Sequence, residues 1–210
     1  MTHHSIISGE NMAHISPTSA RKIAAQETRN QIIKSYGELV REKGTESITI
    51  RDICRKAGVS NGGFYNHFSS KNDVVRAWYL QFTTGVAEKI RKSGAATAEE
   101  EILIYYDGYA ELNMQLGTEF CRHFYTGTNE FLGSHNYESL DVIFRITQRF
   151  LGEIGRQSSI RAENIVRYFL MISRGVMLEW AVKNGDFDAR SKMRSLISVA
   201  IAAIKSGQLD

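Results

Sequence analysis

The sequence has very few of the residues that interrupt helices or cross-link a chain. Its 210 residues include one proline, at position 17, and two cysteines, Cys54 and Cys121. Without proline beyond position 17, long uninterrupted helices are permitted, and no sustained alternation of polar and apolar residues indicates strands. Two cysteines supply neither a disulfide framework nor a zinc-ligand spacing. These features favour an all-α protein.

Other missing patterns exclude classes of function. No charged segment precedes an apolar core of signal-peptide type, and no apolar run is long enough to span a bilayer. We therefore expect a cytoplasmic protein with no membrane partner. The sequence also lacks a glycine-rich phosphate loop, a cluster of metal-ligand residues and a nucleophile elbow. Neither an enzyme, a cofactor nor a metal is predicted.

Charge is distributed unevenly along the chain. Residues 1–92 contain 14 Lys and Arg against 8 Asp and Glu, whereas residues 93–210 contain 12 against 15. A basic N-terminal part suits a phosphate-bearing partner, and an acidic remainder does not.

Two short predicted helices lie within residues 49–68. Apolar side chains recur at i, i+3, i+4 and i+7 in Ile50, Ile53, Cys54 and Ala57 and so share one helical face. Thr49 and Asp52 have capping-box spacing, and Gly58 is suited to end the helix. This is the first half of a helix-turn-helix pattern.

The second short helix follows at once. Ser60 is its predicted N-cap, and Val59 and Phe64 have the spacing of a hydrophobic staple. Gly62 and Gly63 weaken the helix but allow its backbone to approach a surface closely. In a helix-turn-helix the second helix enters the major groove of DNA, and Asn61 can bind adenine through two hydrogen bonds.

These residues carry a family resemblance. Residues 48–53 (Ile-Thr-Ile-Arg-Asp-Ile) and 59–74 (Val-Ser-Asn-Gly-Gly-Phe-Tyr-Asn-His-Phe-Ser-Ser-Lys-Asn-Asp-Val) closely resemble the signature of TetR-type transcriptional regulators. Gly63 departs from it, because the family often has threonine or another small side chain there. The resemblance implies a homodimeric, all-helical repressor. Its parts would be a mobile tail (1–20), a helix-turn-helix DNA-binding domain (21–70), a connecting helix (71–92) and a ligand-binding and dimerisation domain (93–210).

The expected DNA-binding residues combine base contacts and phosphate contacts. For Asn66, a solvated polar residue is an equal alternative to a DNA contact. The resemblance suggests phosphate contacts from Thr49, Tyr65 and Lys71, with assistance from His67. The full set is Thr49, Ser60, Asn61, Gly62, Tyr65, Asn66, His67 and Lys71.

The C-terminal part is predicted to contain further helices rich in aromatic residues. An apolar cavity for a small apolar or aromatic effector is one interpretation of these residues, and an ordinary core is the other. The candidate lining residues are Tyr105, Tyr109, Phe120, His123, Phe124, Phe144, Phe169 and Trp180. Asn113 and His123 are candidates to orient a polar group of the ligand.

The last two predicted helices, about 159–183 and 187–206, are long, and the first is apolar on more than one face. In a TetR-like protein such a pair forms a four-helix dimer interface, while the alternative is an intramolecular core. We expect effector binding to shift the connecting helix and so change the separation of the two recognition helices. A helical protein-interaction module without DNA binding is the rival function, and activation remains open beside repression.

Overall fold

A computed structural model describes residues 17–44, 47–126 and 140–209, which form nine helices and no strand within those ranges. The prediction of an all-α fold is confirmed. No helix in the described ranges combines the length and hydropathy of a membrane span. The helices are α1 (Pro17–Lys43), α2 (Ile50–Ala57), α3 (Asn61–Tyr65), α4 (Lys71–Ser93), α5 (Ala98–Leu116), α6 (Thr118–Thr126), α7 (Asp141–Glu153), α8 (Ala162–Val182) and α9 (Ala189–Ser206).

Helix α1 begins earlier than the sequence pattern suggested. Its first residue is Pro17 rather than residue 21, so the last part of the predicted tail is helical. Proline suits the first helical position because its fixed φ is already helical and its missing N–H would have no partner there. Residues 1–16 of the predicted tail lie outside the described residues.

The N-terminal three-helix unit is built on the buried stripe of α1, which packs against α2 and α4. This stripe consists of Ile32, Tyr36, Leu39 and Val40, which are all buried. Ile53 of α2 and Phe64 of α3 complete this core and are fully buried. A five-residue helix such as α3 is too short to be stable alone, so burial of Phe64 holds it in place.

Helix α4 joins the two halves of the molecule. It has 23 residues, equivalent to about 34 Å of helix. Ser70 caps its N-terminus by accepting from the Asp73 N–H at 3.2 Å. Trp78 packs against Tyr36 of α1 and Phe120 of α6, with ring centroids 6.0 and 6.2 Å apart. The connecting helix therefore contacts both the N-terminal unit and the C-terminal helices.

Gly37 allows this close packing. A Cβ atom at position 37 would lie 2.7 Å from Nε1 of Trp78, which is closer than real side chains approach. The backbone of α1 and the indole of α4 are thus in direct contact. Further along α4, Val86 packs in the same way over Gly108 of α5, where an added Cβ would come within 3.1 Å of it.

Helix α5 lies at the centre of the C-terminal half and packs against α4, α6, α7, α8 and α9. It carries a buried carboxylate, Asp107. The Arg194 guanidinium of α9 donates two hydrogen bonds to this carboxylate, from Nε at 3.2 Å and from Nη2 at 2.5 Å. Arg190 lies 3.7 Å from it. These ion pairs fix α9 against the central helix.

Candidate functional site

The turn between α2 and α3 is held by the caps that the sequence predicts. Thr49 Oγ1 accepts from the Asp52 N–H at 3.2 Å, and the Thr49 N–H donates to Asp52 Oδ2 at 2.9 Å, which completes the capping box. Gly58 ends α2 with a φ of +69°, a conformation that glycine adopts without strain. Ser60 Oγ then accepts from the Gly63 N–H at 3.0 Å and starts α3. The helix-turn-helix geometry is confirmed.

One side of α3 faces the core and the other faces solvent. Phe64 and Phe68 are buried, as expected of residues that do not touch DNA. Ser60, Asn61, Gly62, Tyr65 and Asn66 are exposed and His67 is half-buried. Tyr65 is 57% exposed although its ring packs edge-on against Phe64. The exposed surface of α3 is thus small, polar and aromatic, with no carboxylate to repel a phosphate.

The two flanking candidates, Thr49 and Lys71, lie together at the start of α2. Lys71 Nζ donates to the Ile48 carbonyl at 3.2 Å. The Thr49 hydroxyl donates to Asp52 Oδ2 at 2.7 Å, so a phosphate contact through its hydrogen would have to replace that bond. The Thr49 hydrogen bonds and neighbouring Lys43 hold the pKa of Asp52 well below its usual range. The Asp52 carboxylate thus remains available as a cap at any ordinary pH.

Neither the backbone conformation nor any close contact within the described residues requires glycine at position 62. Its φ is not in the left-handed region, and an added Cβ would meet only the Ser60 hydroxyl oxygen, at 4.0 Å. Gly63 is somewhat tighter, with that oxygen at 3.3 Å. Glycine within a helix costs about 1 kcal/mol relative to alanine. Glycine at this position leaves room for a surface to approach the α3 backbone closely, which agrees with the predicted DNA contact.

Gly62→Ala is expected to change stability and DNA affinity in opposite directions. The free energy of unfolding should rise by up to about 1 kcal/mol. Affinity for a selected DNA site should fall about tenfold or more, equivalent to about 1.4 kcal/mol, because the new methyl group holds the backbone away from the groove. Urea denaturation and fluorescence anisotropy measure the two effects. Gly152→Ala is the matched control, since a Cβ there also meets nothing within 4 Å. Unchanged DNA affinity of Gly62→Ala would contradict this role.

The aromatic candidates of the C-terminal half are mostly buried. Phe144 is half-buried against the core, and the side chain of His123 lies outside the described part of α6. Phe120 and Phe124 stack with centroids 5.1 Å apart. The buried candidates are Tyr105, Tyr109, Phe120, Phe124, Phe169 and Trp180. The structure thus brings the rings of α5, α6 and α8 into one core, and their role as ligand contacts stays a prediction.

A chain of hydrogen bonds runs through this core between α5 and α6. The Tyr125 hydroxyl donates to Asn113 Oδ1 at 2.7 Å and lies 2.6 Å from the Tyr109 hydroxyl. Asn113 Nδ2 donates to the Tyr109 carbonyl at 2.8 Å. Burial raises the pKa of Tyr109 to about 12. Asn113, a candidate to orient a ligand, is therefore already engaged in a structural network.

Both thiols are expected to be unreactive in the folded protein. Cys121 is fully buried, and burial raises its pKa to about 12, which leaves on the order of one thiol in 10⁵ ionised at neutral pH. Cys54 is also buried, with its pKa raised by the same cause. Ellman's reagent should label neither cysteine within minutes in native protein and both in concentrated urea. Rapid labelling of Cys121 in the native protein would instead indicate an open path to the core.

The N-terminal unit matches a known protein family in sequence. Residues 32–78, from the middle of α1 to Trp78 of α4, match the sequence profile of the bacterial regulatory proteins, tetR family. This N-terminal unit belongs to the TetR family. The HTH-type transcriptional regulator UidR of Escherichia coli (strain K12) is 37% identical to it over 57 residues, which are 27% of this chain and 29% of UidR. The match thus spans less than a third of that relative.

Solved structures extend the likeness to most of the chain. A putative TetR-family transcriptional regulator from Syntrophomonas wolfei str. Goettingen superposes with a TM-score of 0.65 at 19% identity, covering 88% of this chain and 97% of that one. The transcriptional regulator FadR from Bacillus subtilis, solved in complex with stearoyl-CoA, gives a TM-score of 0.63 at 19% identity, covering 82% and 97%. At this identity the comparison shows a shared TetR-family fold.

Sequence reasoning missed several polar residues of the C-terminal half. Asp107, Ser173 and Arg174 each interrupt an otherwise apolar helix, and Asp107 and Ser173 are buried. The sequence signal that could have identified them is a polar residue at a position within an apolar helical stripe. The Arg194 partner of Asp107 lies 87 positions away in the sequence, so the pattern alone does not name it.

Proposed function

We propose that this chain is a sequence-specific DNA-binding transcriptional regulator that acts as a homodimer, rather than an enzyme. The observation that carries this is the geometry of α3: Phe64 fixes the helix in the core while Asn61, Gly62 and Tyr65 remain exposed on its outer side. The match of the N-terminal unit to the TetR family and the regulator named among its relatives support the same function. A protein that binds chromosomal operators would work in the cytoplasm.

Selection from random-sequence DNA, followed by affinity measurements across a salt series, tests this function. We expect one preferred palindromic site and binding that weakens steeply with salt, because phosphate contacts release counterions. Asn61→Ala should lower affinity for that site by about 1–3 kcal/mol and relax the choice of one base. Gln148→Ala, which removes an exposed side-chain amide from α7, is the matched control. Weak binding that is equal for all sequences would contradict the proposal.

The rival function, a protein-interaction module, makes the opposite prediction for the phosphate contacts. Tyr65→Phe and Lys71→Gln remove a hydroxyl and a charge from positions that resemble phosphate contacts. In a DNA-binding protein they should weaken binding to all sequences and lower the salt dependence. In a protein-interaction module they should have no effect on DNA, because no specific DNA binding would exist.

Exposed apolar residues on α8 and α9 support the homodimer. Met171 and Val182 of α8 are each 61% exposed, Val199 of α9 is 64% exposed, and Leu196 is 36% exposed. These four are more than half of the large apolar side chains exposed in the described ranges. We therefore infer that the outer faces of α8 and α9 meet their copies in a four-helix interface.

The proposal also includes a regulatory mechanism, in which the protein represses transcription and a small effector releases it from DNA. The buried aromatic core of α5, α6 and α8 supplies apolar contacts, and the Bacillus subtilis neighbour was solved with stearoyl-CoA. Trp78 contacts both Tyr36 and Phe120, so a shift of α6 would be transmitted to the N-terminal unit through α4. A cognate effector should lower operator affinity and change the distance between labelled recognition helices. Loss of DNA binding with no change in that distance would contradict this mechanism.

A further inference from the structure

A carboxylate lies beside one of the predicted phosphate contacts. Oδ2 of Asp52 accepts hydrogen bonds from the Thr49 N–H at 2.9 Å and from the Thr49 hydroxyl at 2.7 Å. A phosphate oxygen that accepted from the same hydroxyl would lie no more than about 5.4 Å from Oδ2, because such hydrogen bonds are about 2.7 Å long. At that distance the negative charges of the carboxylate and the phosphate repel each other.

Two cations contact this carboxylate. Lys43, the last residue of α1, places its Nζ 2.9 Å from Oδ2 of Asp52, and Nη2 of Arg55 lies 2.8 Å from Oδ1. Both oxygens are therefore paired with a cation, and Oδ2 also receives the two hydrogen bonds from Thr49. The two cations together more than balance the single negative charge of Asp52.

The Lys43 pair is the better shielded of the two. The Lys43 side chain is 34% exposed and that of Asp52 is 15% exposed, whereas Arg55 is 74% exposed. Water and salt screen an exposed ion pair more strongly than a partly buried one. Lys43 also joins α1 to α2, while Arg55 and Asp52 belong to the same helix. The charge that balances Asp52 therefore comes mainly from Lys43.

We propose that Lys43 is a positioning residue for DNA binding, whose charge neutralises Asp52 so that the Thr49 hydroxyl can turn from the carboxylate to a DNA phosphate. This deepens the proposed function and rests on it. When the phosphate accepts the hydroxyl hydrogen, Lys43 Nζ and the Thr49 N–H still bind Oδ2. The carboxylate thus keeps its partners and continues to cap α2. Lys43 itself needs no contact with DNA.

Fluorescence anisotropy of the full-length protein on its selected DNA site tests this role. Lys43→Gln should lower the affinity about fourfold or more, which corresponds to the repulsion of two unit charges about 5.4 Å apart in water. The loss should shrink as the salt concentration rises. Lys43→Arg keeps the charge and should keep the affinity. Lys56→Gln is the matched control and should change the affinity far less, because Lys56 also joins α2 to α1 but pairs with Glu42 and Glu38.

Asp52→Asn separates neutralisation from a direct contact between Lys43 and DNA. Asparagine keeps an oxygen that can accept from the Thr49 N–H but carries no charge. Asp52→Asn alone should bind DNA at least as tightly as the wild type. In the Asp52→Asn background, Lys43→Gln should lose most of its effect on affinity, because no carboxylate remains to be neutralised. A lysine that binds a phosphate directly would cost the same affinity in both backgrounds and would reduce the salt slope by about 1.

Stability measurements distinguish this role from a purely structural one. Urea denaturation followed by circular dichroism gives the stability of each variant. An ion pair that only holds α1 against α2 would lower the stability of Lys43→Gln and leave the DNA affinity of the folded variant unchanged. In the proposed role, affinity falls at concentrations of urea and salt at which the variant is fully folded.

Two results would overturn the proposal: Lys43→Gln binds DNA as tightly as the wild type, or its loss of affinity is equal in the wild-type and Asp52→Asn backgrounds. The wild-type protein measured on the same DNA separates this outcome from failure of the proposed function. Specific DNA binding by the wild type together with either result would disprove only the role of Lys43. A wild type without specific DNA binding would disprove the regulator, and the role of Lys43 with it.

Discussion

Val199→Glu is expected to convert the proposed dimer to a monomer and to lower affinity for a palindromic DNA site by about 10²- to 10⁴-fold, the usual gain from linking two binding modules. Val199 is 64% exposed at the outer face of α9, so the charge should not disturb folding of the single chain. In the proposed interface it would meet its copy, where two unpaired carboxylates are strongly unfavourable. Light scattering after gel filtration gives the mass, and anisotropy gives the DNA affinity.

Met114→Glu is the control for this experiment. Met114 is another exposed apolar side chain, 37% exposed, but it lies on α5 rather than on the last two helices. It should leave both the mass and the DNA affinity unchanged. A Val199→Glu protein that stays dimeric would place the interface elsewhere, and a monomer with full DNA affinity would show that the two half-sites are bound independently.

Arg194→Met should destabilise the fold by about 3 kcal/mol, the lower end of the range for breaking a buried ion pair. The Asp107 side chain is 6% exposed, and Arg194 supplies both of its short contacts. Methionine keeps much of the side-chain volume but leaves the carboxylate buried with only Arg190, 3.7 Å away, as a partner. Urea denaturation followed by circular dichroism measures the loss.

Two further variants test whether the uncompensated charge of Asp107 causes the destabilisation in Arg194→Met. Arg190→Met removes the longer contact and should cost well under half as much. Asp107→Asn combined with Arg194→Met removes the buried charge itself and should recover part of the stability lost in Arg194→Met. If Arg190→Met and Arg194→Met were equally destabilising, the 2.5 Å contact would not be the dominant one.

Much of the N-terminal unit could be predicted from sequence because its signals are local. Thr49 with Asp52, Gly58 and Ser60 are each defined by neighbours within a few positions, and all four act as predicted. The exposure of Asn61 and Tyr65 follows from the burial of Phe64 through helix periodicity. Whether these exposed residues touch DNA depends on a partner, and that part stays a prediction.

The C-terminal half was less predictable because its key contacts are distant in sequence. Arg194 and Asp107 are 87 positions apart, and Arg122 reaches the Ala181 carbonyl across 59 positions. Apolar periodicity correctly located most of these helices, although not α6, since it requires only that one face be buried. It does not tell which helix a polar residue will meet, so the ion pair at Asp107 could be seen only in the folded structure.

The contact between Gly37 and Trp78 limits which relatives can supply the N-terminal unit of a hybrid protein. An added Cβ at position 37 would lie 2.7 Å from the indole nitrogen of Trp78. A tryptophan at position 78 is therefore compatible only with glycine at position 37. A hybrid regulator that takes residues 17–70 from a relative with a larger side chain at position 37 would force its new module away from α4. In a hybrid protein, the residues at positions 37 and 78 should therefore come from the same parent.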